Sequence, residues 1–394
     1  MEEKTMINSY SGWPGKVITG SGAIKTIGEE IKALGLSRTM VFSDENLMKL
    51  DIVKEAIAAI SASGVEVCTF DRIGPNPTDK MVEDGVNTMK EFGPQCIVCI
   101  GGGSPLDCAK ACNVVYTHGG KVHDYNVNTG GVERIENKLL PFIAVPTTAG
   151  TGSEVTNVGV ITDTERHVKF GVLSPFNVPN IAVLDPDITV GLGKNTTAFT
   201  GIDALTHCIE SYVSLVDFCI ADAEALEGIR MIRKYLPTAH ADGTNIEARE
   251  KMLCAAMMAG ASFNINNLGL CHQMAHQLSS YFGMAHGLAN AILLPHVMRF
   301  NLHARPERFA TIAEALGCDI RGLSAEEAGL KGIEEVENFC RAMGVPQYLD
   351  EVGVDIAQVP AMAITALQDG VGATNPVATT VEQCEEVFYG CFKK

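Results

Sequence analysis

The chain has 394 residues, 46% hydrophobic and 20% charged, with a formal net charge of −17. That length exceeds one ordinary core and points to two globular domains rather than a disordered chain. The acidic balance excludes nucleic acid and anionic membrane as partners, since both demand basic clusters.

No apolar run reaches membrane-spanning length. The N-terminal MEEKTMINSYSGW lacks the basic-then-apolar layout of a signal peptide, so a cytoplasmic location is expected. Thirteen cysteines in a long chain without an export signal are expected as thiols. Cys96 and Cys99 form a CxxC, but they sit in CIVCI, which reads as a buried strand. Cys271 adjoins His272 and reads either as packing or as a route to oxidative inactivation.

Residues 16–35 read as strand then helix, KVITGSG followed by AIKTIGEEIKAL, with Gly35 placed to end it. A strand from Met40 to Ser43 ends in Asp44. Helix Asp51 to Ala62, strand Val65 to Phe70, helix Thr78 to Phe92 and strand Cys96 to Ile100 follow. Leu139 to Val145 and Ile181 to Leu184 read as further strands, apolar throughout as doubly covered strands are. Strands alternating with helices make residues 1–187 an α/β domain with a parallel sheet. Residues 188–394 read as helical, rich in Ala, Leu, Met and Glu.

Three signals in the α/β half point to a dinucleotide. CIVCI runs into Gly101-Gly102-Gly103-Ser104-Pro105 and then a helix. Glycines opening a helix after a buried strand let backbone N–H groups approach a pyrophosphate at the positive end of the helix dipole. This is neither GxGxxG, because Leu106 takes the third glycine's place, nor a P-loop. As a tight turn with no ligand it would also make sense. Asp44, after an earlier strand, can accept from ribose hydroxyls and would repel a 2′-phosphate, which selects NAD over NADP. A helix-capping aspartate is the alternative. Finally, LLPFIAVP leads into Thr147-Thr148-Ala149-Gly150-Thr151-Gly152-Ser153-Glu154, a small, hydroxyl-rich stretch suited to line a cofactor.

The helical half holds the metal signals. Asn264 to His296 contains His272, His276, His286 and His296, four of the ten histidines. His272 and His276 are four apart among Leu268, Met274, Ala275 and Leu278, so on a helix they share one poorly hydrated face. HxxxH alone is weak. A zinc-protease reading fails because Gln273 stands where the general-base Glu belongs. In GIDALTH, Asp203 and His207 are likewise four apart. An Asp and a His from one helix plus two His from another segment would make a four-ligand N/O site for Fe(II) or Zn(II). His286 lies too far along to share a turn with His272, but a loop at SSYFGMAHG could fold it back.

GGGSPLD, PTTAGTGSEVT, GIDALTH and LGLCHQMAHQL…AHGLANAILLPH occur in this order over nearly the whole chain, down to LQDG…TNP. Together they resemble the iron-dependent (group III) alcohol dehydrogenases, whose members include propanediol- and lactaldehyde-type enzymes. The resemblance implies a dehydroquinate synthase-like fold: an α/β dinucleotide-binding domain, an all-α metal-binding domain and a cleft between them. It implies Asp203, His207, His272 and His286 as metal ligands, with Fe(II) or alternatively Zn(II), and His276 as a catalytic residue lining the cleft without ligating. NAD(H) would be held by Gly102, Gly103 and Ser104 at the pyrophosphate, Asp44 at the ribose, and Thr147, Thr148 and Thr151. Lys169, Asp107 and Ser153 are counted with them. A homo-oligomer built from dimers is expected.

The chain departs from the family's pattern around the substrate, at Ala285 before His286, at Ser279-Ser280, at Leu270-Cys271 and at Val377 after TNP. Two added hydroxyls favour a small polar or anionic aldehyde, of propanediol or lactaldehyde type or sulfonated. The expected reaction is hydride transfer from nicotinamide to a metal-polarised carbonyl, with His276 or a water and ribose-hydroxyl relay supplying the proton. A zinc-dependent polyol or glycerol-type dehydrogenase and a non-catalytic, filament-forming structural protein are the competing accounts.

Overall fold

A computed structural model describes residues 12–166 and 168–393. Residues 1–11, from which the lack of a leader was read, lie outside it. In the first half the strands are β1 (Lys16–Thr19), β2 (Arg38–Phe42), β3 (Glu66–Phe70), β4 (Cys96–Gly101), β5 (Phe142–Pro146), β6 (Val158–Asp163), β7 (Val168–Leu173) and β8 (Ile181–Leu184). Between them run α1 (Ile27–Ala33), α2 (Asp51–Ala62), α3 (Asp79–Phe92) and α4 (Gly103–His118). Thr78 caps α3 by accepting the N–H of Met81, and Gly93 ends it in the left-handed region (φ 69°).

Six strands form one parallel sheet in the order β1-β8-β5-β4-β2-β3. The chain leaves β2 toward the β3 edge, then returns to lay β4 on the other side of β2. The order therefore reverses between β2 and β4, and a crevice opens at their carboxyl ends. Asp44 follows β2 and the three glycines follow β4, so both candidate cofactor segments border that crevice.

The sheet is covered on both faces at its centre, which is why β4, β5 and β8 are apolar throughout. Met40, Phe42, Ile97 and Cys99 pack under α3 and α4. Val41, Cys96, Val98 and Ile100 pack under α1 and α2. Cys96 and Cys99 thus point to opposite faces, and both are free core thiols. The strand expected from Leu139 starts only at Phe142, because Asn113 takes Leu140 instead, donating to its carbonyl (2.9 Å) and accepting its N–H (3.1 Å). The antiparallel hairpin β6–β7 is an addition to the sequence reading.

The second half is helical among the described residues. Its helices are α5 (Lys194–Val213), α6 (Cys219–Ala241), α7 (Ile246–Asn266), α8 (Leu270–Phe282), α9 (His286–Asn301), α10 (Pro306–Ala315), α11 (Ala325–Ala342), α12 (Val359–Ala366) and α13 (Val381–Gly390). Helix α5 is buried on all sides from Gly201 to Val213 and forms the axis of this half, with Ile202, Leu205 and Ile209 in its core. No described helix is long and apolar enough to cross a membrane.

Candidate active site

Three helices of the second half deliver one cluster. Asp203 and His207 project from α5, His272 from α8, and His286 is the first residue of α9. The turn Gly283–Ala285, opened by Gly283 at φ 63°, reverses the chain so that His286 faces back toward His272. Gly287 allows the approach: a Cβ there would meet the Phe199 carbonyl at 2.3 Å and Asp203 Cβ at 3.3 Å. One donor atom from each of Asp203, His207, His272 and His286 lies within 4.8 Å of all the others.

The donors are chemically suited to a cation. Burial first, and then the neighbouring imidazoles, hold His272 far below the usual histidine range. Burial likewise lowers His207, and it lowers His286 to about 3 although 32% of that side chain is accessible from the cleft. All three rings are neutral at pH 7, with lone pairs available. His272 Nδ1 lies 2.5 Å from Glu210 Oε2, which turns Nε2 toward the cluster. A carboxylate behind a ligand imidazole is the usual outer partner of a metal-bound histidine. Burial pushes Glu210 up to about 8, against the backbone N–H groups of Cys271, Gly269 and His272 that favour its charge. The set of three neutral imidazoles and one carboxylate fits Fe(II) or Zn(II).

His276 lies one turn beyond His272, its ring stacked on His286 with centroids 5.3 Å apart. Its Nδ1 sits 2.6 Å from Asp369 Oδ2. Burial alone would raise Asp369, but the hydrogen bond to His276 and that ring's charge outweigh it and hold the carboxyl low. Gln273, in the place a zinc protease would give to Glu, donates to the Asp369 carbonyl (2.6 Å). The LQDG segment is thereby docked on α8. Cys271 is fully buried with its thiol pushed well up, which fits packing rather than an oxidation site.

On the other side of the cleft, Gly102 caps α4 and Gly103 opens it. A Cβ on Gly103 would meet Thr151 Cγ2 at 2.9 Å, and one on Gly102 would meet Thr148 Oγ1 at 3.3 Å, so the glycine and threonine loops lie face to face. Thr147 N–H bonds the Gly101 carbonyl (3.1 Å). Ser104 Oγ accepts the N–H of Asn76, whose amide oxygen accepts from Lys169 Nζ (2.9 Å). Asp44 Oδ1 accepts the N–H groups of Asn46 and Leu47, both at 2.9 Å, and so caps the turn after β2. The threonine loop continues to Asn157, whose N–H bonds Asn264 Oδ1 of α7 (2.8 Å), and Ala149 packs on the helical core. The threonine loop and the helices that carry the donor cluster are therefore in contact.

Asp107 and Ser153 are tied into a buried network beneath that loop. Ser153 donates to Asp107 Oδ1 (2.9 Å), while Lys110 Nζ donates to Ser153 Oγ, Thr156 Oγ1 and the Val158 carbonyl at 2.9–3.0 Å. Lys110 is fully buried; burial brings it down to about 8 and pushes the adjacent Glu154 up to about 7. Lys110→Met strands these acceptors, the buried Glu154 carboxyl and the half-buried Asp107. It should destabilise the protein by about 3 kcal/mol or more, read as a lower midpoint in chemical denaturation; an unchanged midpoint would contradict this.

Four residues of this site escaped the sequence reading. Glu210 stands three residues past His207 on the same helix face, and Asn290 four past His286, so helical spacing could have flagged both. Asp369 lies inside LQDG but bore no role, and Lys110 was given none.

The profile of the iron-containing alcohol dehydrogenases matches residues 14–186, and the C-terminal profile of the Fe-containing alcohol dehydrogenase family matches residues 197–391. The chain is 41% identical over 375 residues to 1,3-propanediol dehydrogenase of Klebsiella pneumoniae, covering 95% of this chain and 96% of that protein. A crystal structure of a 1,3-propanediol oxidoreductase superposes with a TM-score of 0.95 at 40% identity, over 98% of this chain and all of that one. Sulfoacetaldehyde reductase from Bifidobacterium kashiwanohense, solved in complex with NAD+, gives a TM-score of 0.87 at 27% identity, over 98% and 99% of the two chains.

The fold is thus that of a metal-dependent oxidoreductase. The chain belongs to the iron-containing alcohol dehydrogenase family.

Proposed function

We propose that the protein interconverts a short polar aldehyde and its alcohol with NAD(H). In this reading residues 1–187 hold the dinucleotide and residues 188–394 hold a cation through Asp203, His207, His272 and His286. The observation that carries it is the convergence of those four donors, with their neutral rings, beside His276 and opposite the glycine and threonine loops. The NAD+ in the sulfoacetaldehyde reductase complex supports the same cofactor here. A bound Fe(II) would supply Lewis-acid polarisation of the substrate carbonyl.

The chain's own residues do the rest. Gly102, Gly103 and Ser104 present the start of α4 to the pyrophosphate, and Thr147, Thr148 and Thr151 line the opposing wall. His276, held through Nδ1 by Asp369, offers its other nitrogen to move a proton at the substrate oxygen. Lys169 places a cation on the cofactor-side wall, and Ser279 is buried with a hydroxyl that has no partner among the described residues. Both favour a polar or anionic substrate, and the propanediol and sulfoacetaldehyde activities in the relatives' names run the same way.

Two measurements test this reading. NADH oxidation is followed against short aldehydes after loading with Fe(II) or Zn(II), including hydroxylated and sulfonated two- and three-carbon compounds. Faster turnover of the polar members than of butanal is expected; a preference for unsubstituted aldehydes would refute the substrate class. Separately, Asp44→Asn keeps an acceptor for the turn and removes the charge. It should raise kcat/KM with NADPH relative to NADH by roughly tenfold, about 1.4 kcal/mol. An unchanged ratio would remove Asp44 from the cofactor site.

A further inference from the structure

One amide closes the face of the donor cluster that lies against α9. Asn290 is fully buried, one turn beyond His286. Its Nδ2 lies 2.7 Å from Asp203 Oδ1, 3.1 Å from His272 Nε2 and 3.2 Å from His286 Nε2. Those acceptors come from three different helices, α5, α8 and α9. An amide nitrogen carries only two hydrogens, so three acceptors compete for them.

The orientation of this amide follows from its partners. Asn290 Oδ1 faces the buried Cys271 thiol at 3.6 Å, and the Cys271 N–H is in turn held by Glu210 Oε1 at 2.6 Å. Reversing the amide would aim its oxygen at a carboxylate and two imidazole lone pairs in a dry site, a repulsive arrangement. A single donor surrounded by a carboxylate and two neutral imidazoles has the environment that a cation's ligands create.

We propose that Asn290 is a positioning residue for the metal centre. The bond to Asp203 Oδ1 uses a lone pair that stays free when that carboxylate ligates, and so orients it in the bound form, while the two imidazole contacts give way to the cation. This inference rests on the reading that those residues ligate a metal. Nothing in it depends on the identity of the substrate.

The test measures metal affinity rather than turnover. Chelator-stripped protein is titrated with Zn(II) and Co(II) against a competing chelator, and the visible d–d spectrum of the Co(II) form is recorded. Wild type should take up one equivalent. Asn290→Ala, folded by circular dichroism, should bind 10–100-fold more weakly with a changed Co(II) spectrum. Asn290→Asp keeps the shape but replaces the donor with a fourth acceptor. It should lower the Tm of the metal-free protein and enlarge the Tm rise on adding Zn(II) relative to wild type. It also serves as the readout if the alanine variant does not fold. Affinities within twofold of wild type together with an unchanged spectrum, or equal Tm rises, would overturn the role of Asn290 alone. Absence of metal uptake by wild type would overturn the metal-centre reading and this inference with it.

Discussion

His272→Ala is expected to cost the protein its metal and to lower turnover by about a thousandfold or more, since Lewis-acid polarisation of a carbonyl contributes several kcal/mol to the barrier. His272 is the middle of the constellation: its ring lies 4.6 Å from that of His207 and 5.2 Å from that of His286, centroid to centroid. Its Nδ1 is anchored by Glu210, so Nε2 has one orientation. Removing it leaves a carboxylate and two imidazoles on a half-open face. Metal content by elemental analysis and NADH-linked aldehyde reduction should fall together. Full turnover in a metal-free His272→Ala protein would be incompatible with the account.

Glu210→Ala should have the second largest effect, because that carboxyl serves two ends. Besides orienting His272, it accepts the Cys271 N–H (2.6 Å) at the first turn of α8, where helix amides lack internal partners. Truncation abandons those buried donors and releases the ring. A loss of about 3 kcal/mol in stability and of roughly 10–100-fold in metal affinity is expected. Denaturation of the metal-free protein reads the first and chelator competition the second. Glu210→Gln, which keeps an acceptor oxygen, should recover most of the stability and little of the metal affinity. Wild-type values for both variants would show that Glu210 is only a filler.

Much of the fold was legible because the parallel sheet is covered on both faces. CIVCI and IAVL carry no polar residue to blur the pattern, and Thr78 and Gly93 mark the ends of α3 with ordinary capping chemistry. The hairpin β6–β7 was not legible. Its alternation is broken by Gly159, which is there for a non-local reason: a Cβ would meet the Asp107 carbonyl on α4 at 2.8 Å.

The candidate site divides in a similar way. Asp203 with His207 and His272 with His276 announce themselves by i,i+4 spacing, a property of one helix. Glu210 and Asn290 stand at helical spacing from His207 and His286, but their partners on other helices, like the His276 partner of Asp369, are met through hydrogen bonds of 2.5–3.2 Å that no local pattern specifies. Asp107 and Ser153 show the converse. Their place next to the cofactor motifs was readable, but not the buried Lys110 that engages them from below.

The central claim is that a carboxylate and three imidazoles surround one cation beside His276. Anomalous diffraction from crystals grown after Fe(II) or Zn(II) loading tests it most directly. The account predicts a single strong peak about 2.0–2.3 Å from donor atoms of Asp203, His207, His272 and His286, absent in His272→Ala crystals. A peak elsewhere, or an active enzyme with no peak at these four side chains, would contradict it.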